Sequence, residues 1–180
     1  MGGNAHEGQK TSLDPEQTVN MLKQRLAGLR ETEVPVFFLI ALELEERGGE
    51  TLSQERIRRI EEVLTRFFRS TDTIGFLGGQ RFGVLISGAL TESVVWEKTA
   101  MLSQVLRLEA EIENMPGQQI YIGVYIFGGE AENFDDMLGE AEYALLMARR
   151  ETERQYYVHA KQGCLPERLG VPASLLSPFV

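Results

Sequence analysis

Nine consecutive apolar residues, Val34 to Leu42, form the longest such run in the chain. A bilayer needs roughly 20 apolar residues to be spanned, so this stretch must be covered by protein instead. Its centre (Val36, Phe37, Phe38, Leu39, Ile40) does not alternate with polar residues, which predicts a central strand buried on both faces. Charge enters only afterwards, at Glu43, Glu45 and Glu46. The rest of the chain is consistent with one core around such a strand: 180 residues, 43% hydrophobic and 25% charged, is a globular composition.

The net charge of −9 argues against a nucleic-acid polymer as ligand, because phosphate binding rests on dense Lys and Arg. It leaves room for a small nucleotide held by a few local arginines. A single cysteine, Cys164, permits no intramolecular disulfide and fits a reducing compartment. The N-terminus lacks the apolar core of a secretion signal, and nothing predicts direct membrane insertion. The expectation is a cytoplasmic chain, or the soluble part of a larger, membrane-tethered protein.

Around the central strand the punctuation is readable. Residues 1–12 are polar and Gly-rich and read as a flexible lead. Asp14 caps a helix, Pro15 suits its first position, and Gln17 bonds back to the cap. Val19, Leu22, Leu26 and Leu29 then share one face. Thr51 with Gln54 reads as a capping box for a second helix, whose apolar face is Ile57, Ile60, Leu64 and Phe67. Ile74–Leu77 and Phe82–Ser87 flank Gly78-Gly79-Gln80-Arg81 and predict a hairpin. A third helix runs from about Glu92 to Asn114, with Val94, Met101, Val105, Leu108 and Ile112 expected inward, and stops at Pro116-Gly117. Ile120–Phe127 is a further strand, Asn133 caps a helix reaching Arg150, and Tyr156-Tyr157-Val158 reads as a last edge strand. The fold class is α+β: a ferredoxin-like βαββαβ core, with an antiparallel sheet and helices on one face. The domain spans 13–160, and 161–180, broken by Pro166, Pro172 and Pro178, is a tail or linker.

The hairpin Phe76-Leu77-Gly78-Gly79-Gln80-Arg81-Phe82-Gly83-Val84-Leu85-Ile86 resembles that of GGDEF domains, the diguanylate cyclase family, whose pattern is Gly-Gly-(Asp/Glu)-Glu-Phe. Ala141-Glu142-Tyr143-Ala144-Leu145-Leu146-Met147-Ala148-Arg149 is similar to the family's late helix. The resemblance covers about residues 13–160 and implies a palm-type nucleotide cyclase fold. It also implies a chemistry: carboxylates from the first core strand and the hairpin hold two metal ions around GTP. Metal ions of that kind take anionic oxygen ligands.

Against that pattern this chain is degenerate. At Gly78, Gly79, Gln80, Arg81 and Phe82 both acidic positions are replaced, and Arg cannot bind a cation. The first-strand Asp-x-Asp is absent, its place falling near Ala41-Leu42-Glu43. The loop that reads guanine shortens to Glu45–Glu50, and the family's phosphate-binding Arg position holds Glu153. The expectation is therefore a non-catalytic signalling domain with no metal site and no cofactor, magnesium included. Arg81 is expected to pair internally with Glu43 or Glu45, keeping the corner neutral without metal. One family pattern persists: Arg69-Ser70-Thr71-Asp72 stands where cyclases bind their product, cyclic di-GMP, through Arg-x-x-Asp. Arg offers a planar fork to guanine or phosphate, and Asp accepts from guanine nitrogen. An Arg and an Asp at a helix end also form a local tie without any ligand. The partners expected are cyclic di-GMP, other signalling domains or proteins, or a second copy in a homodimer. His6, His159 and Cys164 lack neighbours that would make a metal or nucleophile site, and Trp96 reads as a half-buried helix residue.

Overall fold

The computed structural model describes residues 10–44, 52–88, 90–115, 117–128 and 133–160. The order is β1 (Lys10–Ser12), α1 (Pro15–Ala27), β2 (Val34–Leu44), α2 (Gln54–Phe67) and β3 (Thr73–Gly78). There follow β4 (Arg81–Gly88), α3 (Glu92–Ile112), β5 (Gln118–Ile126), α4 (Phe134–Arg150) and β6 (Tyr156–Ala160). The six strands form one sheet in the order β1-β3-β4-β2-β5-β6. The four inner strands pair antiparallel in the ferredoxin-like order, and β1 and β6 add parallel edges, so the sheet is mixed.

The apolar run becomes β2, with Val36 to Leu42 essentially excluded from solvent. Its alternate residues feed two separate cores. Val36, Phe38, Ile40 and Leu42 pack with α2 and α3, and Phe37, Leu39 and Ala41 with α1 and α4. Helices thus cover both faces rather than one: α2 and α3 belong to the βαββαβ unit, and the additional α1 and α4 close the opposite side.

Local rules account for most element ends. Asp14 caps α1 by accepting from Gln17 N–H at 2.8 Å. The Gln17 side chain does not return to the cap; Ser12 Oγ accepts from the Asp14 N–H at 3.1 Å and stands 3.4 Å from Gln17 Oε1. Ser12 lies in β1, so the lead predicted over 1–12 is ordered at its end, where Lys10–Ser12 pair with Thr73–Gly75. Ser53, not Thr51, caps α2 by accepting from the Arg56 N–H; Thr51 lies outside the described residues, as do Glu45–Glu50, His6 and Cys164. Asn133 caps α4 as expected.

The third helix is turned about its axis from the expectation. Val95, Leu102, Leu106 and Ala110 are buried, whereas Val94, Met101, Leu108 and Ile112 face outward and Val105 is half-buried. The sequence offers two apolar stripes, and periodicity cannot choose between them. The choice is made at the ends: Thr91 caps the first turn, and Trp96 packs edge-on against Tyr156 and Tyr157 of β6.

Close approach of α4 to the sheet rests on Gly123. A Cβ there would stand 2.3 Å from Leu145 N and 2.6 Å from Ala141 O, both backbone atoms. Gly123→Ala is therefore expected to destabilise by about 2 kcal/mol or more in urea unfolding, since neither element can yield. Gly139→Ala, at a helical position of α4 with open space, serves as the control and should stabilise by up to about 1 kcal/mol.

Candidate functional site

The hairpin joins β3 to β4 through Gly79 and Gln80, with φ of 54° and 68°. Positive φ at both central residues is the type I′ signature, whose twist matches the flanking strands. Glycine adopts it freely, while Gln80 is held there as its carbonyl accepts from Leu42 N–H at 3.0 Å. Register then places Arg81 beside Ala41 of β2, on the face covered by α4. Glu43, two residues along β2, emerges on that same face beside Gln119 of β5.

At this corner each charge meets one of opposite sign from α4. Arg81 Nη1 donates to Glu142 Oε1 at 3.0 Å. Arg149 reaches Glu43 Oε1 through Nη2 and through Nε, the latter at 3.0 Å, and its guanidinium lies 5.9 Å from the centre of the Tyr121 ring. Glu142 and Arg149 are seven residues apart, two turns of one helical face. Of the expected partners of Arg81, Glu45 lies outside the described residues and Glu43 is taken by Arg149, while Arg81 pairs with Glu142. Glu142 was overlooked in the sequence; its signal was the two-turn spacing from Arg149 within one motif. Both pairs are partly solvated, so each stabilises by no more than about 1 kcal/mol.

These residues do not fit a divalent cation. Gln80 is a neutral ligand, Arg81 is itself a cation, and Glu43, the one carboxylate on β2 among the described residues, is engaged by Arg149. Among the described residues no group of three or more His, Cys, Asp or Glu is placed to hold a metal. His159 stacks on Tyr125 and reaches Glu140 Oε2 at 3.1 Å. Glu153 lies exposed in the turn after α4.

The Arg69-Ser70-Thr71-Asp72 step lies where α2 gives way to β3. Asp72 is 6% exposed, and its Oδ2 accepts from the Arg69 backbone N–H at 2.8 Å, tying the turn. Burial pushes the Asp72 carboxyl up from its ordinary value, while the Arg69 N–H and the charges of Lys98, Arg69 and Arg25 pull it down. The Arg69 side chain is exposed. Lys98 of α3 is half-buried beside this turn: its Nζ sits 4.9 Å from the centre of Phe67 and 5.0 Å from that of Phe68, and burial lowers its pKa.

A separate cavity of about 420 Å³ opens beside the end of α3 and the start of β5, lined by Arg107, Glu111, Asn114, Met115, Gln118 and Ile120 among others. Next to it the buried Arg56 donates to Gln118 Oε1 at 2.6 Å. Among the described residues, Arg56 Nε and Nη1 and Gln118 Nε2 find no hydrogen-bond partner. Burial disfavours the Arg56 charge, and Glu109 and Glu113 offset this. The only trace in the sequence is an Arg at the start of the apolar α2 face.

Asp72→Asn keeps an acceptor for the Arg69 N–H and removes the buried charge. At pH 7 it should equal or exceed the unmodified protein in stability, while Asp72→Ala loses about 1 kcal/mol. The folded carboxyl binds its proton more tightly than the unfolded one, whose pKa is near 3.8. The unmodified protein should therefore lose stability relative to Asp72→Asn as pH rises from below 3.8 through the folded value. Urea titrations over that range check the sign.

Comparison with known proteins agrees with this geometry. The GGDEF domain of DgcB from Caulobacter crescentus, solved with c-di-GMP, superposes with a TM-score of 0.60 at 16% identity, covering 89% of this chain and 98% of that one. The active GGEEF domain of a diguanylate cyclase from Vibrio cholerae gives 0.64 at 13% identity, covering 83% and 99%. The GGDEF domain of PA1120 (YfiN or TpbB) from Pseudomonas aeruginosa gives 0.60 at 16%, covering 84% and 97%. At such identities these establish the fold alone. No curated protein sequence matches the chain. The sequence does match the family described as diguanylate cyclase, GGDEF domain, over residues 42–155, from the end of β2 to the start of β6. With well over half its length matched, the chain belongs to the GGDEF domain family.

Proposed function

We propose that this domain is catalytically silent and acts in signalling by binding rather than by synthesis. The observation that carries the reading is the charge arrangement at the hairpin. Where two cations would have to gather around GTP, Arg81 is a fixed positive charge and Glu43 is already neutralised by Arg149. Displacing Arg149 to free one carboxylate would still leave Gln80 and Arg81 in the two hairpin positions. Among the described residues the other carboxylate at this corner, Glu142, is held by Arg81 in its turn, so a two-metal centre would have to break both ion pairs and still tolerate the Arg81 charge.

Cyclic di-GMP is the ligand the chain is best equipped to receive, at Arg69 and Asp72. The exposed Arg69 stands beside Lys98 with Asp72 at the foot of the turn, a cationic group on an otherwise acidic protein. The neighbour from Caulobacter crescentus was solved with this dinucleotide bound. A second reading is favoured by the burial of Asp72, whose carboxylate already serves the Arg69 N–H. In that reading the turn is structural and the domain is a nucleotide-independent interaction module.

Incubation with GTP and Mg²⁺ should yield no dinucleotide, and formation of cyclic di-GMP would overturn the silent reading. Calorimetric titration with cyclic di-GMP should give heat that Arg69→Ala abolishes. No heat with the unmodified protein ends the receptor reading and leaves the interaction module.

A further inference from the structure

We infer that the cavity at the end of α3 is a binding site for a small monocarboxylate with an apolar body, which Arg56 grips once Gln118 turns aside. The cavity measures about 420 Å³, within the size range of small-molecule sites. Met115 and Ile120 give it apolar surface, and Gln118 forms the part of its wall that is bonded to Arg56 of α2.

Arg56 is the feature that calls for a ligand. It is 5% exposed, and its one hydrogen bond among the described residues runs from Nη2 to Gln118 Oε1 at 2.6 Å. The groups left over, Arg56 Nε and Nη1 and Gln118 Nε2, are all N–H donors, so what the place lacks is an acceptor. A buried guanidinium with unmet N–H groups is costly, and an acceptor removes that cost. Arg56 also stands in the first turn of α2, three residues after the cap Ser53. That is the positive end of the helix, where a cation is disfavoured and an anion is favoured. Glu109 and Glu113 offset the Arg56 charge from a distance, but both lie against Arg59.

A carboxylate matches the planar fork of arginine, which holds both of its oxygens at once. Gln118 is the part that moves, since it is half-buried at the start of β5 and lies between Arg56 and the cavity. Turning its side chain gives up one hydrogen bond and opens the guanidinium to the carboxylate. Gln118 Nε2 then donates to the same group, and the body of the ligand rests on Met115 and Ile120. A multiply charged phosphate is opposed by Glu111 in the cavity wall and by the negative end of α3, whose last turn contains no base. A neutral amide supplies a single oxygen and leaves the Arg56 charge unmet. The 14 residues of α2, about 21 Å at 1.5 Å per residue, separate this site from Arg69, so it stands apart from the ligand question above.

Hexanoate serves as the probe, with hexanamide and inorganic phosphate as controls, in a buffer free of other carboxylates. Calorimetric titration of hexanoate into the unmodified protein should give saturable heat, and both controls should bind at least about tenfold more weakly. Arg56→Met keeps an apolar stem on the same helix face; it should fold at least as stably and give no heat. Gln118→Glu supplies a carboxylate from the chain itself, and should raise the unfolding midpoint while removing hexanoate binding. Met115→Trp fills the cavity without touching Arg56 and should weaken binding at least about tenfold. No heat with the unmodified protein overturns the site. Binding retained in Arg56→Met or in Gln118→Glu overturns the role of Arg56, and phosphate or hexanamide bound as tightly as hexanoate overturns the ligand class.

Discussion

Everything in this domain is placed by a strand whose centre, Val36 to Leu42, is shut off from water. β2 pairs with β4 on one side and β5 on the other, and each of its faces is roofed by a pair of helices. A strand so enclosed has one tolerable register, because a slip by one residue would exchange Phe37 and Leu39 for Phe38 and Ile40 between two differently shaped cores. That fixed register carries functional weight: it sets Arg81 beside Ala41 and brings Glu43 out under α4, with no freedom for the hairpin to present its side chains elsewhere.

The sheet supplies one charge of each pair at the corner and α4 supplies the other. α4 can lie close enough because Gly123 has no side chain and because Ala141, Ala144 and Ala148 are small. Packing and charge are therefore linked: the small residues that lower the helix onto β5 also bring Glu142 and Arg149 within reach of the sheet. A side chain at Gly123 would separate both ion pairs before it touched either.

Much of this was legible in the sequence where the cause is local. The uninterrupted Val34–Leu42 run marked β2, Gly78-Gly79 marked the hairpin, and Asp14 and Asn133 marked their helices, each through interactions spanning a few residues. What failed depended on distant partners. β1 is three polar residues that exist as a strand only because β3 offers an open parallel edge. The inward face of α3 was assigned to the wrong stripe, Val94 to Ile112, because two apolar stripes compete and the contact that selects one, Trp96 with Tyr156 and Tyr157, joins residues about sixty apart in sequence. The partner of Arg81 was misassigned for the same reason: Glu142 is sixty-one residues away, and nothing in the hairpin announces where α4 will lie. Family membership was readable from the order and spacing of the motifs, which the substitutions at Gln80 and Arg81 leave in place.

The ion pairs at the hairpin corner matter more for electrostatic potential than for stability. Partly solvated pairs such as Arg81–Glu142 and Glu43–Arg149 contribute little to folding. Their consequence is a corner that is neutral in the absence of any ion. In a metal-dependent site, uncompensated carboxylates repel one another, and the incoming cations relieve that repulsion. Here the relief is supplied in advance by side chains of the same chain. A triphosphate arriving at this corner of a protein of net charge −9 would meet neither the cations it needs nor a basic surface to replace them. A neutral corner of this kind can persist without ligand or metal, because each of its charges is already met by one from the same chain.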